Sequence, residues 1–354
     1  MDTETSGSDQ VIPITNVYYM LSYAFQALQK DSYKELATEE FHNVMELYAA
    51  ILEKGISVQL KRGLIRSYID KSEMISTLRG KFDVSESIKT QAVLKRQMVC
   101  TYDEFSINTE LNQILKTTML ILLRGDIKPV QKKSLRNLLL FFSDLDETDL
   151  HTVNWNPCYS RNDQTYQMLI EICYLVYQNQ LQSEKKGRRR LMDFIDEQRM
   201  SHLYEKFILE YYRKEHPELK ANASFIPWQL DNGEDDLLPR MKSDISLSTR
   251  DGRRVLIIDA KYYAHTTQMQ FGVNTLHSGN LYQIFTYVKN RQAGMNDSSF
   301  PVAGMLLYAK TDEDIVPDQE YQMSGNRITV RTLVLNQPFR IIAAELDEIA
   351  LGLK

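Results

Sequence analysis

Residues 254–263 read RVLIIDAKYY. Val255 through Ile258 form an unbroken apolar run that ends in an acid and a base, Asp259 and Lys261. Side chains alternate across a strand. Val255, Ile257, Asp259, Lys261 and Tyr263 therefore share one face, and Leu256, Ile258 and Ala260 share the other. A strand apolar on both faces is normally central in a sheet. The two charges are thus expected side by side where a central strand emerges.

The preceding stretch, RMKSDISLS at 240–248, reads as a partner strand. Met241, Ile245 and Leu247 take one of its faces; Lys242, Asp244 and Ser246 take the other. Thr249-Arg250-Asp251-Gly252 places an Asp-Gly turn between the two strands, a hairpin signal. Such a hairpin brings Asp244 beside Asp259. Two carboxylates converging at a sheet end repel each other and are poorly solvated, which is costly unless a cation neutralises them. Oxygen ligands suit Mg²⁺, and the carbonyl of Ala260 can complete the shell. A metal there acidifies bound water and stabilises charge on a phosphate. Lys261, one pleat along, is placed to orient that water or steady the transition state. The outline is that of a metal-dependent phosphodiesterase.

Two flanking features extend the outline. Glu205, on a helix expected from about Glu197 to Lys214, is a further acidic candidate ligand. Gln283 and Tyr287 lie four apart on a helix expected at 278–292, so they share a face, and Gln283 can reach the site or a DNA phosphate. Each residue also has a plainer reading. An isolated DxK is commonly an exposed ion pair, Asp244 fits a turn-adjacent surface residue, and Glu205 fits a solvated helix acid.

Working outward, strands are expected at 223–230, 302–309 and 327–335, with a closing helix from about 339. Upstream the pattern is helical. Helices are expected at about 16–28, with Asn16 as the cap, and at 38–61, 108–124 and 131–143. Asp163 is a candidate cap for a helix to about 182. Between 64 and 104 short apolar stretches mix with charges, which suggests short strands in an extended, exposed element. Residues 144–164 show little periodicity, and a domain boundary is expected there. The resulting class is α+β: an N-terminal helical and β domain at 1–164, and an α/β sheet domain at 165–354.

Composition bounds the alternatives. The chain has 354 residues, 43% hydrophobic and 25% charged, as in a soluble globular protein. The longest apolar run, Thr118 to Leu123, stops at Arg124, far short of a membrane span. The opening MDTETSGSDQ is neither a secretory nor a transit signal and is expected to be disordered. Cys100, Cys158 and Cys173 form no metal-ligand spacing or disulfide framework, and a reducing, cytoplasmic compartment is expected. A net charge of −5 argues against coating nucleic acid by bulk charge. The basic run from Lys185 to Arg190 is either a phosphate contact or a solvated loop. Trp155 and Trp228 are expected in the core or at an interface, with base stacking as the alternative.

The order Glu205, Asp244, Asp259-Ala260-Lys261, Gln283-x-x-x-Tyr287 resembles the PD-(D/E)xK nuclease superfamily, in its RecB-like branch. The proline of that name is missing, since Lys242-Ser243 precede Asp244. More closely, the chain resembles the McrC family of endonuclease subunits from modified-cytosine restriction systems. The likeness rests on VIPITNVYYMLSYAF (11–25), TLRGKFD (77–83), LLPRMKSDI (237–245), IIDAKYY (257–263) and HSGNLYQ (277–283). It implies a restriction-endonuclease-like C-terminal domain that uses Mg²⁺ on double-stranded DNA carrying 5-methylcytosine. It also implies a partner, a hexameric AAA+ GTPase of the McrB type. An N-terminal element at about 64–104 would project into that partner and stimulate it. The chain itself contains no G-x-x-x-x-G-K-[ST] loop, since Gly80-Lys81 is followed by Phe82 and lacks the upstream glycine. Two other functions stay open: an assembly and GTPase-activating subunit with a secondary nuclease role, and a stand-alone RecB-like repair nuclease.

Overall fold

The computed structural model describes residues 12–29, 33, 35–159, 163–185, 197–262, 267–270, 273–295, 300–309 and 317–353. The opening ten residues, Tyr263 and the basic run beyond Lys185 lie outside the described residues. The backbone divides into two units: Met1–Thr38 with Lys185–Lys354, and Glu39–Glu184. The division expected near residue 164 is therefore not the one the chain makes. Residues 144–159 are irregular but pinned, because Leu150 and Val153 are buried and Trp155 stacks on Tyr177 at 5.5 Å.

The N-terminal segment contributes helix α1 (Ile14–Ala24) to the first unit. Asn16 does not cap it; Pro13 occupies that position. Asn16 is buried, and its Nδ2 donates to the carbonyls of Leu335 and Gln337, both at 2.8 Å. An amide with two donors is better used on two orphan carbonyls than on one helix terminus. Tyr19 stacks on Phe339 with ring centroids 4.3 Å apart, and Tyr23 donates to Glu215 at 2.9 Å. These contacts tie α1 to chain more than 190 residues away.

The unit at 39–184 begins with α2 (Val44–Arg62), which starts where Asn43 accepts the Glu46 N–H at 2.9 Å. The Glu46 carboxylate answers by accepting the His42 N–H at 2.8 Å. This reciprocal cap places the start six residues after the expected 38. Strands β1 (Ser67–Ile75), β2 (Lys81–Asp83) and β3 (Met98–Ser106) form an antiparallel sheet in the order β1-β3-β2. The short helix α3 (Val84–Lys89), capped by Asp83, lies between β2 and β3. Helices α4 (Glu110–Arg124), α5 (Pro129–Leu139) and α6 (Gln164–Lys185) complete the unit.

In the first unit, α7 (Glu197–Glu215) leads into β4 (Lys220–Asn222) and β5 (Phe225–Ile226). The strand expected at 240–248 is two pieces, β6 (Met241–Lys242) and β7 (Ile245–Ser248). Then come β8 (Val255–Lys261), the hairpin β9 (Thr267–Gln270) and β10 (Val273–Leu276), and α8 (Ser278–Ala293). Strands β11 (Val302–Ala309), β12 (Gln319–Met323) and β13 (Asn326–Leu333) precede α9 (Phe339–Leu351). Six strands form one sheet in the order β12-β13-β11-β8-β7-β4. Its centre, β8-β11-β13, is parallel, and the flanking pairs are antiparallel. Mixed helix and sheet thus accords with the α+β expectation.

Strand β8 lies between β11 and β7, as its two apolar faces require, and Val255 to Ala260 are all buried. Val255 and Ile257 pack with Ile284, Tyr287 and Val288 of α8. Gly304 permits the close approach of α8 to the sheet. A Cβ there would fall 2.8 Å from Ile284 Cγ1 and from Val288 Cγ2. Helix α7 packs on β7 and β8, and Tyr212 of α7 donates to the Leu346 carbonyl of α9 at 3.2 Å. Among the described residues, no helix is long and apolar enough to cross a membrane.

Candidate active site

The site is built by the last rungs of the β7–β8 hairpin. The ladder pairs Ser248 with Val255 through to Ile245 with Ile258. One step further, Asp244 stands opposite Asp259, but the ladder has already ended. Ser243 is pulled aside: its N–H donates to the Ser224 carbonyl at 3.0 Å, and its hydroxyl accepts the Ser224 N–H at 3.2 Å. Strand β6 pairs with β5 instead, so Met241 joins Val255 and Ile257 in the core beneath α8. The alternation expected for a continuous strand had put Met241 with Ile245. The break leaves Asp244 free to use its carboxylate, and its Oδ2 accepts the Ala260 N–H at 3.0 Å.

Asp259 follows Ile257 on the face toward α8 and is 1% exposed. Neither of its carboxylate oxygens has a hydrogen bond of good geometry. Lys261 Nζ nonetheless lies 2.9 Å from Oδ2, so the interaction is an ion pair more than a directed bond. Burial pushes the Asp244 carboxyl up to about 8, with the charges of Asp259 and Glu205 adding to the effect and Lys261 opposing it. Burial also raises Asp259, again against the pull of Lys261. Two adjacent acids that burial holds back from ionising form a place that a cation could occupy.

Helix α8 supplies the other wall. Lys261 Nζ donates to Gln283 Oε1 at 3.4 Å, and Gln283 Nε2 donates to the Tyr287 hydroxyl at 2.9 Å. One turn earlier, buried Asn280 donates to the hydroxyl of buried Tyr308 on β11 at 3.0 Å. Glu205 lies on α7, where Ser201 Oγ donates to it at 3.2 Å. Its charge reaches both aspartates, yet among the described residues no three His, Cys, Asp or Glu side chains gather closely enough to hold a metal ion.

The structure therefore brings together Asp244, Asp259, Lys261 and Gln283 and keeps Glu205 outside the pair. Two carboxylates with no nitrogen or sulfur donor fit a hard cation that keeps part of its water, as Mg²⁺ does, and do not fit Zn²⁺. Asn280, Tyr308 and Ser243 were not singled out by sequence. The signal for Asn280 was its spacing, three residues before Gln283 and seven before Tyr287 on one helix face. Both indole N–H groups bond to backbone carbonyls. Trp155 Nε1 donates to Leu150 O at 3.1 Å, and Trp228 Nε1 donates to Pro239 O at 2.8 Å.

Comparison with known proteins gives a consistent result. Residues 7–309 match the sequence profile of the McrBC 5-methylcytosine restriction system component family. The chain is 30% identical over 348 residues to the Escherichia coli (strain K12) protein described as type IV methyl-directed restriction enzyme EcoKMcrBC, covering 96% of this chain and 97% of that one. Among solved structures it is similar to the half-complex of Thermococcus gammatolerans McrB AAA+ hexamers with bound McrC. There the identity is 18%, the TM-score 0.46, and the coverage 95% of this chain and 76% of that one. A second match is the T. gammatolerans McrBC complex, at 22% identity and a TM-score of 0.38, covering 57% and 58%.

Proposed function

Because the chain belongs to the McrBC 5-methylcytosine restriction system component family, we propose that it is the Mg²⁺-dependent DNA endonuclease subunit of a GTP-driven complex directed at 5-methylcytosine. Its catalytic unit would be of the PD-(D/E)xK type, in the RecB-like branch. One observation carries this reading: buried Asp259 stands beside part-buried Asp244, with Lys261 Nζ 2.9 Å from Asp259 Oδ2.

Asp244 and Asp259 would hold the metal, with the Ala260 carbonyl as a third oxygen and Glu205 acting through its charge. Bound Mg²⁺ would supply an acidified water and charge neutralisation at the scissile phosphate. The chain's own residues do the rest. Lys261 presents a part-buried ammonium toward the negative charge that develops on the phosphate. Gln283 gives that ammonium a second acceptor, so Asp259 does not hold it alone. The low dielectric around Asp259 strengthens each of these interactions.

GTP hydrolysis would belong to a partner, since the chain has no phosphate-binding loop of the Walker kind. That partner is proposed to be a hexameric AAA+ GTPase of the McrB type. The unit at 39–184 would meet it and stimulate its GTPase. The three-stranded sheet and the loops around it expose Tyr68, Leu78, Ile88, Val93, Leu94 and Phe105, more apolar surface than a solvated element carries.

The test is reconstitution of the full chain with its cognate GTPase, GTP, Mg²⁺ and a duplex carrying 5-methylcytosine. Asp259→Ala and Lys261→Ala are each expected to abolish cutting and to leave assembly and GTP turnover intact. Normal cutting by either variant overturns the site. Strong cutting by the isolated chain without GTP would favour a stand-alone repair nuclease.

A further inference from the structure

We propose that Tyr308 and Asn280 form a positioning pair that sets where Lys261 and Gln283 meet. The proposal rests on the nuclease reading above and extends it to two residues that touch neither metal nor phosphate.

Register is the first observation. In the parallel pairing of β8 and β11, Asp259 lies beside Leu306 and Lys261 beside Tyr308. Paired residues of neighbouring strands point to the same face. Tyr308 therefore stands next to Lys261 on the side covered by α8. It is fully buried there, in one cluster with Ile257, Ile284 and Leu306.

The second observation is the contact across the layers. The buried side-chain amide of Asn280 donates to the Tyr308 hydroxyl at 3.0 Å. Apolar packing between a helix and a sheet fixes their separation but resists sliding only weakly, because it is non-directional. A buried hydrogen bond is directional, and leaving either partner unmade is costly. This bond fixes the height of α8 along the sheet within its first turn.

The third observation closes the loop. Gln283 is one helical turn from Asn280, so the height fixed at Asn280 is passed to Gln283 through rigid helix. Gln283 Oε1 is 3.4 Å from Lys261 Nζ, near the outer limit for such a bond, and a small slide would lose it. Lys261, on the strand beside Tyr308, would then keep Asp259 at 2.9 Å and lose Gln283. The route from Lys261 to Gln283, Asn280, Tyr308 and back to Lys261 uses two side-chain bonds, one helix turn and one sheet rung.

The experiment uses the full chain with its cognate GTPase, GTP, Mg²⁺ and a 5-methylcytosine duplex, under single turnover. Tyr308→Phe removes one oxygen and keeps the ring's packing. It is expected to slow cutting by between about tenfold and a hundredfold, with DNA affinity and GTP turnover unchanged. Asn280→Leu should give a similar loss, and the double variant should be no slower than the slower single variant. In a Gln283→Ala background, Tyr308→Phe should have no further effect, a result that general loosening of the fold would not produce. Wild-type cutting by Tyr308→Phe overturns the proposal, as does an undiminished loss in the Gln283→Ala background. The control is Asp259→Ala. If it abolishes cutting while Tyr308→Phe cuts at the wild-type rate, only the positioning pair fails; if it cuts normally, the nuclease reading and the pair fall together.

Discussion

Asp244 and Asp259 stand opposite each other one step beyond the last rung of the β7–β8 ladder, and the Ala260 N–H between strand and site is held by Asp244 at 3.0 Å. The hairpin therefore does two jobs with one register. Its apolar rungs bury the strand, and its first unpaired rung presents two acids together.

That juxtaposition makes the metal-free chain sensitive to alkali. The Asp244 carboxyl is pushed up to about 8 from 3.8 by burial and by its acidic neighbours. Between those two values the folded chain keeps a proton that the unfolded chain has lost. The stability contributed by Asp244 is fully present below about pH 4 and is lost as pH rises toward 8. Asp244→Asn should flatten this decline in melting temperature measured with EDTA present. Cation binding must expel the same proton, so Mg²⁺ affinity measured by titration calorimetry should rise with pH and level off above about 8. An affinity independent of pH from 6 to 8 would contradict the assignment.

Asn16 tests the division of the chain. Asn16→Ala leaves the carbonyls of Leu335 and Gln337 without their donor and should cost about 2–3 kcal/mol in denaturant unfolding. A fragment beginning at residue 165 lacks α1 altogether. It should fail to fold cooperatively, whereas co-expression with residues 1–38 should restore it. A stable fragment 165–354 would show that α1 is dispensable.

Gly304 tests the seating of α8. A methyl group there meets Ile284 and Val288 at 2.8 Å and Ile328 at 2.9 Å. Gly304→Ala should therefore destabilise by about 1–3 kcal/mol. It should also lift α8 from the sheet and reduce cutting more than DNA binding. Unchanged thermal stability would mean that the helix has room to move.

The sheet at 67–106 is open to a direct replacement. Ser67 and Ser106 are paired across β1 and β3, so a short turn can join the cut ends. The replaced chain should still fold, as followed by circular dichroism. It is expected to lose stimulation of the GTPase in a turnover assay. Retained stimulation would remove this sheet from the partner contact.

Where the expected placement of residues and the structure agree, the reason was short range. RVLIIDAKYY fixes its own faces by alternation, and the Asp-Gly turn fixes the partner strand, so Asp259, Lys261 and Asp244 were legible together. Gln283 and Tyr287 followed from helical spacing alone. What escaped depended on distant chain. Asn16 reads as a cap because nothing nearby shows that Leu335 and Gln337 need donors. The split between β6 and β7 depends on Ser224, nineteen residues before Ser243. Strand β12 was missed despite a local signal: Ser324 and Gly325 both adopt positive φ, at 49° and 87°, in the turn joining it to β13.

The interrupted first unit has a consequence for synthesis. Helix α1 leaves the ribosome well before α7 and α9, the helices it packs on. At about 5–20 residues per second, the roughly 180 residues between α1 and the middle of α7 take roughly ten to forty seconds to make. Throughout that interval the buried side of α1, with Val17, Met20, Leu21 and Tyr23, lacks the α7 and α9 surfaces that cover it in the folded unit. The unit at 39–184 can complete its own core meanwhile. The nascent chain thus matures from the inside out, and the unit that carries Asp244 and Asp259 is the last to become whole.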